Sequence, residues 1–212
     1  IVAFDRTLGE CVPAVRSDHE QGGRLIARQL IDSGARHVVL VGGPRSQFAE
    51  ATTFPTIRYH LTVERMLADA GIACDYVEAG IVADICAHEA TARAIFERYS
   101  DVDAIVGSDL VASVALQEAL RRGISVPRDL QIIAYDGTFM AETAGMRLTA
   151  VRQDFPAVAA ALASRMDSQI AADNGTTSAA AAEGGNAVAA NGGQSTSEDI
   201  ISVTLIPGET TR

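Results

Sequence analysis

The sequence predicts an α/β protein whose strands are parallel and buried, on three observations. Short apolar runs such as His37–Val41, Ala104–Gly107 and Ile132–Tyr135 are too continuous for a half-exposed strand and end in glycine or acidic residues. Segments of helical period separate them, several closed by a glycine (Gly34, Gly71, Gly123). Between residues 102 and 136 the order strand, helix, strand has the length of a right-handed βαβ crossover. Ligands of open α/β sheets sit beyond the carboxyl ends of the strands. Ser108, Asp109 and Asp136 are therefore expected side by side on one rim.

Composition narrows the function classes. The chain has 212 residues, 48% of them hydrophobic and 21% charged, which suits one large or two small globular domains. A net charge of −10 repels a phosphate backbone, so these residues alone are not expected to bind DNA. No unbroken apolar stretch reaches the ~18 residues of a membrane span, and the start has no basic-then-apolar signal pattern. The three cysteines, Cys11, Cys74 and Cys86, are odd in number and lack C-x-x-C spacing, which suits unpaired thiols in a reducing cytoplasm.

In chain order, Ile1–Arg6 opens with a strand. Asp18 and Gln21 form the two ends of a capping box, starting a helix that carries Leu25, Ile26 and Leu30 to Gly34. The strand His37–Val41 ends in Gly42-Gly43-Pro44, which lacks the context of a nucleotide loop. Residues 45–56 read as a polar loop, 58–70 as a helix, 75–79 as a strand and 84–99 as a helix. After the βαβ unit, 137–146 reads as a loop that crosses between subdomains. A strand over 148–153 follows, then an alanine-rich helix capped by Asp154 with Pro156 in its first turn. Residues 173–199 hold only Val188 as a bulky apolar side chain before Ile200, and are expected to be a flexible low-complexity loop. Ile200–Ile206 is the last strand.

Three motifs carry a family resemblance: D-A-I-V-G-S-D (103–109), G-I-S-V-P-R-D-L-Q-I-I-A-Y-D (123–136) and L-T-A-V-R-Q-D (148–154). In this order they resemble the effector-binding domain of lactose-repressor (LacI) type bacterial transcription regulators, a fold shared with periplasmic sugar-binding proteins. The resemblance implies a three-layer, parallel-sheet, periplasmic-binding-protein-like lobe: a nearly complete second subdomain with a remnant of the first. It places the remnant at 1–36, the second subdomain at 37–136 and 147–212, and the crossover near 137–147. It also implies that an N-terminal DNA-binding headpiece and the first strands precede this chain.

Chemistry on the rim fits binding better than catalysis. There is no G-x-S-x-G nucleophile elbow and no H-E-x-x-H zinc spacing, and the four histidines are scattered. No enzyme activity, catalytic residue, metal or cofactor is expected. Carboxylates accept from the hydroxyls of a polyol, and a guanidinium donates in a fixed fork. By resemblance, ligand contacts fall on Asp5, Ser17, Arg58, Ser108, Asp136 and Gln153, with Asp109 beside them or capping its helix. The implied ligand is a small polar effector, a sugar or similar polyol, held between two lobes whose relative angle it shifts. The implied partners are operator DNA, reached through the headpiece, and a second copy of the chain, in the cytoplasm and away from any membrane. A sugar-binding protein of a transport system is the alternative.

Overall fold

The computed structural model of the chain describes residues 1–6, 8–9, 12–48, 57–79, 84–182 and 198–212, with backbone alone at 47 and 173–182. Its contacts divide the chain into two units: Ile1–Ser17 with Asp154–Ile201, and Asp18–Gln153 (apart from residues 53–55) with Ser202–Arg212.

The smaller unit is a parallel three-stranded sheet in the order β1 (Ala3–Phe4), β2 (Ala14–Ser17), β8 (Glu198–Ile201), with the long helix α6 (Phe155–Ala182) against β2 and β8. Arg16 is buried and forks onto Glu198, with Nε–Oε1 2.6 Å and Nη2–Oε2 3.2 Å, which fixes the β2–β8 register. Arg165 of α6 makes the same bidentate contact with Asp199 of β8.

The larger unit is a six-stranded sheet in the order β4 (Ala73–Glu78), β3 (His37–Gly42), β5 (Ala104–Ser108), β6 (Gln131–Asp136), β7 (Thr149–Gln153), β9 (Val203–Ile206). All pairs are parallel except β7–β9. The apolar runs are continuous because both faces are covered. Val39, Val41, Ile105, Ile132 and Ala134 join one core with α3 (Ile85–Arg98) and α4 (Asp109–Arg121). The alternate residues Val38, Leu40, Val106, Ile133 and Tyr135 join a second core with α1 (His19–Asp32) and α2 (Ile57–Asp69). This gives the three layers that the sequence predicts. Gly23 lets α1 approach α2 closely: a Cβ there would lie 2.7 Å from both the Thr62 Cβ and the Tyr59 carbonyl oxygen.

The structure corrects several expectations. The unit boundaries fall after Ser17, Gln153 and Ile201, not at 36 and 137–147. Helix α1 belongs to the larger unit because Ile26, Ala27 and Leu30 are buried and α1 packs along α2. Residues 137–146 do not cross: they hold α5 (Phe139–Thr143), tied to the larger unit through Asp109 and the Leu148 N–H to Ala141 carbonyl bond. Strand β2 is absent from the sequence reading. Asp18 does cap α1, accepting from the Gln21 N–H, but the Gln21 side chain accepts from the Val203 N–H rather than closing the box. Of the expected loop 173–199, the backbone is helical to Ala182 and extended from Glu198, while 183–197 lie outside the described residues. Cys74 and Cys86 are free thiols, and Cys11 lies outside the described residues. No described helix is long and apolar enough to cross a membrane, and no metal-binding group of three or more His, Cys, Asp or Glu occurs among the described residues.

Candidate effector site

At the carboxyl ends of β3, β5 and β6 in the larger unit lies a cavity of about 250 Å³. Its floor is Val41, Gly42 and Gly43; Ser108, Tyr135 and Asp136 stand on the strand ends, and Tyr59, His60 and His88 reach in from α2 and α3. Gly42 is required by the packing here, since a Cβ would lie 2.5 Å from the His60 Cε1 and 2.4 Å from the Tyr76 hydroxyl.

Asp136 is the most constrained residue of the rim. Its φ is +111, a conformation that costs a non-glycine residue about 1–3 kcal/mol and is concentrated at functional sites. Its Oδ1 accepts a 2.7 Å hydrogen bond from the Gln153 Nε2, so the end of β7 orients the carboxylate at the end of β6. Ser108 caps α4, its Oγ accepting from the Val111 N–H at 3.4 Å, and also lines the cavity. The structure thus brings Ser108, Asp136 and Gln153 together, as the sequence predicts.

Other expected residues sit elsewhere. Asp109 is only 3% exposed, and its carboxylate accepts from the Gly137 N–H (3.1 Å), the Thr138 N–H (2.6 Å) and the Thr138 hydroxyl (2.6 Å). It braces the turn behind Asp136. Arg58 does not line the cavity: it opens α2 on a surface groove with Arg24 and Arg65 and reaches Glu20 at 3.4 Å. The neighbouring Ile57 is the buried residue at the start of α2. Asp5, with φ +47, follows β1, and Ser17 ends β2. Both stand at carboxyl ends of strands in the smaller unit.

The residues missed from sequence are aromatic. The Tyr59 and Tyr135 rings stack at 3.9 Å with an interplanar angle of 5°, and His60 lies 3.9 Å from Tyr59. Phe48 stacks on His60 at 6.0 Å, and Tyr76 meets the His60 ring edge-on. Arg45 covers Phe48 and Tyr76 as a cation over two rings and pairs with Glu64. Burial holds the His60 imidazole down to about 3; the nearby Val41 carbonyl opposes this without the alignment of a hydrogen bond, and the Arg45 charge adds to it. Burial likewise pushes the Tyr59 hydroxyl well up, helped by the negative charge of Asp136. The Tyr135 hydroxyl bonds to the His19 Nδ1 at 2.7 Å, so it is anchored in the core. The sequence signal was the breadth of the buried face of α2: Tyr59, His60, Thr62 and Val63 together exceed a single amphipathic stripe.

A buried strand-end cavity with a carboxylate, a hydroxyl and aromatic walls defines a small-molecule binding domain. The chain belongs to the periplasmic binding protein-like domain family, whose model matches residues 27–186, and it is a ligand-binding domain of the kind carried by LacI-type regulators. Among its relatives are the sucrose operon repressor of Streptococcus mutans, 29% identical over 159 residues (75% of this chain, 47% of that protein), and the ribose operon repressor of Bacillus subtilis, 34% identical over 139 residues (64% and 40%). The chain thus spans less than half the length of these relatives. Similar solved structures include the transcriptional regulator CelR–cellobiose complex (TM-score 0.76, 22% identity, 99% of this chain, 58% of that one). A LacI family transcriptional regulator from Arthrobacter sp. FB24 in complex with lactose gives TM-score 0.77 at 20% identity, covering 100% of this chain and 71% of that one. Both share the fold.

Proposed function

We propose that this chain is the effector-binding domain of a sugar-responsive transcription regulator. A small polar effector, a sugar or related polyol, occupies the strand-end cavity of the larger unit and controls binding of operator DNA by a headpiece outside these residues. The observation that carries this reading is the strained Asp136, oriented by Gln153 toward a cavity shared with Ser108. A carboxylate accepts from hydroxyls, and Ser108 both donates and accepts, which is the pairing a polyol needs. The acidic charge of the chain agrees with a domain that leaves DNA contacts to another segment. The relatives being repressors supports a regulator over a transport protein and a binding role over an enzymatic one; a cytoplasmic setting and a homodimer belong to the same proposal. No cofactor enters the proposal.

A gel-shift titration of the intact protein on DNA flanking its own gene tests this reading. Retention of the DNA should change when an effector sugar is added, and Asp136→Asn should abolish the response to sugar but not the retention. Retention that no sugar alters would contradict it.

A further inference from the structure

The strained conformation of Asp136 is held by contacts that lie outside the cavity. Its φ of +111 is followed by a φ of +64 at Gly137, so the chain bends sharply as β6 ends. A non-glycine residue stays in such a conformation only when its surroundings over-determine it. Two peptide planes follow Asp136, and both are pinned. The plane between Asp136 and Gly137 is held by the Gly137 N–H, which donates to the Asp109 Oδ1 at 3.1 Å. The plane between Gly137 and Thr138 is held at both edges. Its N–H donates to the Asp109 Oδ2 at 2.6 Å, and the Gly137 carbonyl accepts from the Arg152 Nε at 3.1 Å.

Of these two holding residues, Asp109 is buried and belongs to the fold, whereas Arg152 is not so committed. Arg152 is the partner of Asp136 in the β6–β7 register, so its backbone lies beside the strained residue while its side chain reaches the turn. The turn runs flush against it: a Cβ on Gly137 would lie 2.6 Å from the Arg152 Cα. The Arg152 Nη2 donates to the Glu142 Oε1 of α5 at 2.8 Å, so the guanidinium fork is aimed by two partners at once. The Arg152 and Glu142 side chains are 42% and 58% exposed, and neither residue lines the cavity. An ion pair this exposed contributes little to global stability. An arginine that stands outside both the cavity and the core, yet grips the peptide after the effector carboxylate, is placed to present that carboxylate.

We infer that Arg152 is a positioning residue for the effector: by holding the Gly137 carbonyl it keeps Asp136 in its strained, ligand-ready conformation. Without that bond Asp136 relaxes toward ordinary strand geometry for part of the time. Apparent affinity then falls with the fraction of molecules still competent to bind. This rests on Asp136 being an effector contact.

The test is calorimetric titration of the intact protein with D-ribose, D-xylose, D-glucose, sucrose and cellobiose, beside its thermal melt and its amide hydrogen exchange. For a sugar that binds, Arg152→Gln should lower affinity by about threefold to tenfold. The melting temperature should stay within about 2 °C of wild type. Exchange at the Gly137 and Thr138 amides should quicken. Arg152→Lys, which keeps the charge but not the fork, should recover part of the affinity. In the Asp136→Asn background, Arg152→Gln should cause no further loss, because Arg152 acts through that carboxylate. If Arg152→Gln does not fold, Glu142→Gln, which removes only the aiming partner, should show the same pattern with a smaller loss.

Wild-type affinity in Arg152→Gln would overturn the inference, as would unchanged exchange at both amides or a loss that persists undiminished in Asp136→Asn. In each case, a sugar whose affinity drops in Asp136→Asn alone would leave the cavity standing as the effector site. Binding by none of the five would overturn both.

Discussion

Two aspartates one strand apart do different work, and their surroundings say which. Asp109 is buried with its two oxygens filled by Gly137 and Thr138, so it organises the turn that follows β6. Asp136 is half-buried and strained, accepts a hydrogen bond from the Gln153 amide, and borders the cavity. Substitutions should separate them. Asp109→Ala strands the N–H groups it satisfies and should lower unfolding free energy by about 2–4 kcal/mol, read by urea denaturation. Asp136→Asn should leave stability nearly unchanged and lower effector affinity by at least about tenfold in calorimetric titration. Gln153→Ala removes the orienting bond and should weaken the effector less than Asp136→Asn does. At this scale the apolar runs put Ser108 and Asp136 at strand ends, the family resemblance added Gln153, and the structure brings the three together on one rim. The sequence could not mark His60 and His88, which line one cavity only once α2 and α3 have packed on opposite faces of the sheet. Arg58 stands outside this cavity, and a helix start does not reveal which of two adjacent residues turns inward; here it is Ile57.

Among elements, β3 is pinned at its start by an ionic bridge. His37 bonds Asp75 of β4 through Nε2 and Asp101, just before β5, through Nδ1, both at 2.9 Å. Burial disfavours its charge, but the hydrogen bonds to Asp75 and then Asp101, with their negative charges, outweigh that and raise its pKa. A raised folded-state value gives stability that is complete below the ordinary imidazole value and is lost as pH rises through the folded value. The His37 hydrogen bond lowers Asp101, whose contribution is present above the carboxylate range and lost on acidification. The urea midpoint should therefore fall as the pH rises past the ordinary imidazole value and through the raised folded value, and His37→Gln should flatten the fall. A wild-type profile already flat there would contradict the bridge. Helix pairing gives a second test. Gly23→Ala raises helix propensity by about 1 kcal/mol but drives a methyl into Thr62 and the Tyr59 carbonyl, and overpacking of about 1–3 kcal/mol should win. Melting temperature should drop. The strand–helix alternation was legible because each buried strand is a continuous apolar run. Strand β2 was not, because Ala14–Ser17 holds a buried arginine whose partner, Glu198, is distant in sequence. The alanines at 179–182 read as loop by poverty of apolar bulk, yet alanine has the highest helix propensity and the backbone there is helical.

Across the whole molecule, the described residues cross between the two units three times, after Ser17, Gln153 and Ile201. The sequence carried the family and the architecture of the larger sheet, through motifs that lie within it. It did not carry the partition, because α1 and α6 are both plausible covers for either sheet until their partners are known. The central claim is that the strand-end cavity of the larger unit receives the effector. The most direct measurement is a thermal-shift series with neutral monosaccharides on wild type and Asp136→Asn side by side. A ligand at about 100 times its dissociation constant stabilises by about 2.7 kcal/mol, well within detection. The account predicts a sugar that raises the wild-type melting temperature and leaves Asp136→Asn unmoved. A sugar that stabilises both proteins equally would place the effector elsewhere and contradict it.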